Sequence, residues 1–167
     1  MSTRVFALAR SVVVSALFIS IWTFFLPRWF ARASGIAIVP RMSVGGLMLM
    51  MAGGALMLAC VFQFGWNGHG TPAPFDPPRR LVVRGPYRRV RNPMYAGMGI
   101  LLLGETLVFR DIAREMLIMI ALCWAAVTLL IVACEEPALR RSFGADYEEY
   151  CRHVRRWIPR LRAFDKG

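Results

Sequence analysis

Three observations predict an all-α, polytopic membrane protein of four spanning helices: the apolar composition, the length of the charge-free runs, and the lopsided placement of the cations. The chain of 167 residues is 57% hydrophobic and carries 21 Lys plus Arg against 10 Asp plus Glu. Residues 11–27, 42–64 and 116–134 contain no Asp, Glu, Lys or Arg, and residues 94–109 contain only Glu105. About 20 apolar residues, rising ~1.5 Å each, cross a ~30 Å hydrocarbon layer. The three charge-free runs are near that length, and the run 94–109 is taken as a fourth span.

The first run follows Arg4 and Arg10, as the apolar core of a signal peptide would. Its end, Leu26-Pro27-Arg28-Trp29, offers no small-residue cleavage site, so it is read as span one. The second run places Gly46 and Gly53 seven residues apart on one helical face, where small residues let another helix approach closely. After Phe64 the chain turns to Gly65, Gly68, Gly70, Pro72, Pro74, Pro77 and Pro78, a connector that holds neither helix nor central strand. His69 within it reads as a solvated turn residue. This connector divides residues 1–64, a pair of spans, from residues 65–167, which carry the candidate chemistry.

Span three opens at Asn92-Pro93, an expected N-cap followed by a first-turn proline. Span four ends at Glu135-Glu136, and Pro137 is expected to break the helix so that the acidic pair opens a new first turn and meets Arg140. Beyond Gly144, a helix stop, Tyr147, Tyr150, Cys151, Val154 and Trp157 recur at helical spacing among arginines. That pattern predicts a C-terminal helix lying in the membrane interface.

The net charge of +11 is carried beside apolar runs rather than on a polar domain, so anionic lipid is the expected counter-charge and nucleic acid is not. With both ends and the 65–91 segment on one side, that side holds sixteen cations and the other five. The positive-inside rule then places both termini in the cytoplasm. Four cysteines with no CxxC and no Cys/His cluster predict neither a metal site nor a disulfide framework.

Two stretches carry the chemistry. At the start of span three, free helix amides and the positive dipole end lie next to Arg88, Arg89 and Arg91, which suits either an anion site or anchoring to lipid phosphate. Tyr87 and Tyr95 flank it, as an aromatic belt or as walls for a flat ring. At the end of span four, Glu135 and Glu136 sit where the helix dipole is negative and need a nearby cation, from Arg140 or from a ligand. Glu105, the one acid inside an apolar run, is expected to snorkel or to pair near Arg110. Gly97-x-Gly99 lacks the third glycine and the preceding strand of a dinucleotide fingerprint, so no Rossmann unit is expected.

The order of these blocks, Gly85-Pro86-Tyr87-Arg88, Arg91 to Gly97, Glu135-Glu136 and then Phe143-Gly144 to Tyr147 and Tyr150, resembles the C-terminal half of the isoprenylcysteine carboxyl methyltransferase and phospholipid methyltransferase superfamily. The likeness spans roughly residues 70–159. It implies an integral membrane enzyme that binds S-adenosylmethionine without a Rossmann fold, between helices three and four and the C-terminal segment. On that resemblance Glu135, Glu136 and Arg91 are the catalytic candidates. Tyr87, Arg88, Arg91, Asn92, Pro93, Tyr95, Gly97, Glu135, Glu136, Tyr147 and Tyr150 are the cofactor-binding candidates. Asn92 stands where many members have His, which keeps a hydrogen bond and removes an imidazolium. Ala133 and Cys134 stand where the prenylcysteine enzymes place a basic residue, which points away from a prenylcysteine carboxylate as acceptor.

The expectation is therefore an S-adenosylmethionine-dependent methyltransferase acting on a lipid or other lipophilic acceptor in the bilayer, in a bacterial inner membrane. The alternatives are a reductase of related architecture using a reduced nicotinamide cofactor, and a non-catalytic lipid-binding membrane subunit.

Overall fold

In the computed structural model, residues 9, 12–13, 16–17, 19–37, 39–63 and 81–165 are described, and among them every regular element is helical. The connector with His69 lies outside the described residues, as does part of the first expected span. The elements are α1 (Leu26–Ala33), α2 (Val44–Gln63), α3 (Pro93–Val108), α4 (Ala113–Leu130) and α5 (Glu136–His153). Short 3₁₀ turns, Gly85–Arg88 and Arg110–Ile112, precede α3 and α4.

Two prolines that should stop helices do not. Pro27 and Pro137 each lie just past a π-helical turn, Ile21–Phe25 and Ile131–Glu135. A proline cannot donate to the carbonyl four residues back, and its ring collides with that carbonyl. The π turn widens the spacing at that point: Leu26 N–H donates to Ile21 O and Glu136 N–H to Ile131 O. The expected break at Pro137 is thus corrected to a continuous helix that absorbs one extra residue, running from Arg110 to His153. The real interruption is Gly144, whose φ of +49° and ψ of −125° kink α5. A side chain there would be strained, and glycine is not.

The frame of the molecule is the antiparallel contact of α2 with α3. Gly46 lies against Gly104, and Gly53 against Gly97. A Cβ built on Gly53 would stand 2.5 Å from the Gly97 carbonyl oxygen, and one on Gly104 2.6 Å from that of Gly46. Backbones this close are possible only between glycines, so the predicted use of the Gly46/Gly53 face is borne out. Met57, Met98, Leu101, Leu102 and Met119 fill the space between α2, α3 and α4.

Two helices are long and apolar enough to cross a membrane, Val44–Gln63 and the apolar part of Arg110–His153, while Pro93–Val108 is apolar but shorter. Their outer faces leave large side chains uncovered, Met48, Met51, Leu58, Leu122 and Leu129 among them. Such a surface suits hydrocarbon and not water.

The C-terminal helix ends earlier than its side-chain spacing predicts. Val154 has extended backbone and closes α5 after His153, so Trp157 is not helical. Residues 154–165 instead form a strap that folds back along residues 88–91. Arg91 N–H donates to Arg155 O, Arg160 N–H to Arg89 O and Phe164 N–H to Arg88 O. Tyr147, Tyr150, Val154 and Phe164 form a small core under the strap. Trp157 packs on Trp124 of α4 with ring centroids 4.2 Å apart.

Candidate functional site

The π turn before Pro137 decides which way the acidic pair faces. Glu136 is buried, with its side chain 6% exposed, and Glu135 is half-exposed. Three arginines converge on Glu136. Arg156, from the strap, forks onto it, with Nε 2.8 Å from Oε1 and Nη2 3.1 Å from Oε2. Arg91, at the mouth of α3, donates from Nη1 to Oε1 at 3.1 Å. Arg140, one turn along α5, stands 4.0 Å away. The predicted partner Arg140 is therefore the most distant of the three. Burial pushes the Glu136 carboxyl up, but the Arg156 hydrogen bond and the charges of Arg91, Arg156 and Arg140 outweigh it and hold the carboxyl below its usual range.

Glu135 has a different environment. Its Oε1 accepts from the Tyr95 hydroxyl at 2.6 Å. Burial raises its carboxyl above the ordinary value, against the Tyr95 hydrogen bond and with the help of neighbouring Glu136. Two adjacent carboxylates thus differ sharply: one is neutralised by protein cations, and the other is held by a phenol.

Arg91 joins the pieces. Its Nη1 also reaches Cys151 Sγ at 2.9 Å, while its Nε is buried with no acceptor among the described residues. A buried guanidinium N–H without an acceptor costs free energy and asks for an anion. The first-turn amides of α3 open beside it, and helix geometry gives them no intrahelical acceptors.

The other predicted site residues are placed as follows. Asn92 does occupy the N-cap of α3 and Pro93 its first turn, but the Asn92 side chain makes no cap. Its Nδ2 instead donates to Arg156 O at 3.3 Å, tying the strap to the helix start. Arg88 is likewise taken up by the strap, through Phe164 O at 2.6 Å and Asp165 at 3.0 Å. Tyr87 is buried against Cys60 and Val82, and its carbonyl accepts the Tyr150 hydroxyl at 2.7 Å. Burial raises the phenols of Tyr87, Tyr147 and Tyr150 above their ordinary values, so they remain protonated. Gly97 lies in the α2 contact, against Gly53 and Met57. Glu105 is buried in α3 with its Oε2 lacking a hydrogen-bond partner among the described residues, and it does not pair with Arg110. Arg110 Nε donates to Leu107 O instead.

Sequence reasoning named Cys151 only as part of a helical face and did not single out Arg156, and neither was a site candidate. Their only signal is position, on a tyrosine-rich face past Gly144. Among the described residues no group of His, Cys, Asp and Glu is arranged to hold a metal ion.

The sequence model of one family, described as phospholipid methyltransferase, matches residues 42–146. The chain belongs to that family. This is a family of membrane-integral methyltransferases, so the protein is a methyltransferase of the integral membrane superfamily to which its motifs are similar. No curated protein and no solved structure matches the chain. The matched segment covers Arg91, Glu135, Glu136 and Arg140 and stops before Tyr147, Cys151 and Arg156. The family match thus ends short of the strap that completes the Glu136 cluster.

Proposed function

We propose that the protein transfers the methyl group of S-adenosylmethionine to a lipophilic acceptor that stays in the bilayer. The observation that carries this reading is the asymmetry of the acidic pair beside an anion-seeking arginine. S-adenosylmethionine carries a carboxylate, an ammonium and a sulfonium, and the residues offer a partner for the carboxylate and for one cationic group. The buried Arg91 Nε and the first-turn amides of α3 would take the carboxylate. Glu135 would face a cationic group, and its raised carboxyl gains most from one. Glu136 would serve as the post on which Arg91 and Arg156 are held in place. When bound, the sulfonium supplies an already activated methyl group. What remains for the chain is to orient and to exclude water.

The strap provides that exclusion. Pinned by three backbone hydrogen bonds and by Asn92, it would cover the cofactor from the aqueous side. The acceptor then approaches laterally, from the apolar side. A tail of ten CH₂ groups gains ~8 kcal/mol on leaving water, which the bilayer already supplies, so binding has only to place the reactive head.

In the same proposal the chain crosses the membrane four times, with 1–64 as an N-terminal pair and 65–167 as the catalytic core. Both termini are cytoplasmic, and the setting is a bacterial inner membrane. The deciding experiment is incubation of the purified protein with membranes and methyl-labelled S-adenosylmethionine, followed by extraction. Label in a lipid fraction supports the reading. Label only in water-soluble products, or none, overturns it.

A further inference from the structure

The outer face of the strap carries a second basic site that shares no residue with the Glu136 cluster. A depression of roughly 600 Å³ is lined by Arg152, His153, Arg155, Pro159, Arg160, Leu161 and Arg162. Four of these seven are arginines and none is acidic. The nearest carboxylate on the strap, that of Asp165, is paired with Arg88. Arg160 Nη1 is buried with no acceptor among the described residues, as Arg91 Nε is on the inner face.

Two apolar side chains project beside this basin. Leu161 is 97% exposed and Ile158 is 60% exposed. In water such residues between arginines would have no purpose in packing. At the level of lipid headgroups they reach hydrocarbon while the guanidiniums stay with phosphate. The level is fixed by the fold. The strap is hydrogen-bonded to residues 88–91, just ahead of the apolar helix that begins at Pro93.

We propose that this basin binds the phosphate head of an anionic phospholipid of the surrounding bilayer. The guanidiniums of Arg152, Arg155, Arg160 and Arg162 take the phosphate, and Ile158 and Leu161 lie along the acyl chains. The bound lipid braces the strap, whose other face delivers Arg156 to Glu136. The site is a lipid-dependent stabiliser of the closed strap and is separate from the acceptor position.

The test uses the full-length protein in detergent micelles, with bound lipid counted by native mass spectrometry. Phosphatidic acid and phosphatidylcholine with identical acyl chains are the probes. Neither has a free amine to be methylated, so retention reports this basin and not turnover, and a failure of methyl transfer leaves the test intact. The expected result is a preference for phosphatidic acid of about tenfold or more, weakening as salt is added. The triple variant R152Q/R155Q/R162Q should lose that preference while unfolding at the wild-type temperature. Equal retention of the two lipids by the wild type overturns the proposal, whatever the variant does. So does an unchanged preference in the triple variant. Displacement of phosphatidic acid by an equal concentration of inorganic phosphate also overturns it, because the basin would then be a soluble-phosphate site.

Discussion

Replacing Glu136 with Gln removes the one charge on which Arg91, Arg156 and Arg140 converge. The cost can be worked from their exposure. Arg91 is the deepest partner, with its side chain 14% exposed, against 31% for Arg156 and 49% for Arg140. Removing one partner of a buried ion pair costs ~3–5 kcal/mol, because the other charge stays behind uncompensated. The Gln carbonyl still accepts one hydrogen bond, which returns about 1 kcal/mol. Arg140 is exposed and 4.0 Å away, so its share is under ~0.5 kcal/mol. A net loss of about 2–4 kcal/mol lowers the melting temperature by roughly 5–15 °C for a chain of this size. The assay is thermal unfolding of the detergent-solubilised protein followed by tryptophan fluorescence, to which Trp157 of the strap contributes. A double-mutant cycle with Arg156→Gln should yield a coupling of about 1.5–3 kcal/mol, the value of charge-assisted hydrogen bonds shared by the pair. An E136Q variant melting within about 2 °C of the wild type would refute the reasoning, as would an Arg140→Gln change as costly as Arg156→Gln.

Four further outcomes follow from the same geometry. Gly53→Ala should cost about 1–3 kcal/mol, because the new Cβ meets backbone of α3 at 2.5 Å, whereas Gly54→Ala, with nothing within 4 Å, should be neutral or slightly stabilising in the same thermal assay. Glu135→Gln should leave the melting temperature nearly unchanged, since Gln still accepts from Tyr95, yet weaken S-adenosylmethionine binding about tenfold or more by calorimetric titration. The stability difference between wild type and E136Q should depend on pH in one direction. The folded Glu136 carboxyl sits below its ordinary value, so its contribution is complete above about pH 5 and disappears as pH falls through the lowered value; a difference that grew on acidification would contradict the assignment. Reporter fusions after Asp76 and after Lys166 should both be cytoplasmic and one near Ala33 external, and an external C-terminus would sink the four-span arrangement.

Features set by local physics were legible in the sequence. The apolar runs became helices over their described residues, and Gly46 and Gly53, seven residues apart, became the seam with Gly104 and Gly97. The helix start at Asn92-Pro93 fell where its residues place it. The two blocks assigned to the chemistry, around Arg91 and around Glu135-Glu136, meet in space. What stayed hidden depends on contacts between distant segments. Arg156 looks like any of the arginines around it until the strap turns it onto Glu136. The extra residue of the π turn left no mark beyond Pro137, which reads locally as a stop. Trp157 kept a helical spacing that the backbone abandons at Val154. Glu105 is buried in α3 with one carboxylate oxygen unpartnered among the described residues, while Arg110, close to it in sequence, bonds a backbone carbonyl, and sequence distance does not reveal that.

The strap also sets an order of events during synthesis. Glu136 is synthesised 45 residues after Arg91, and Arg156 follows it by a further 20 residues. Every apolar run has therefore been synthesised before the last arginine of the cluster is added. The Glu136 cluster can therefore close only once the final residues have been made, which makes the strap the closing step of assembly. A chain interrupted between α5 and the strap would sit in the membrane with its helices in place and a carboxylate only partly neutralised. To the cell's proteases that is a recognisable, unfinished product.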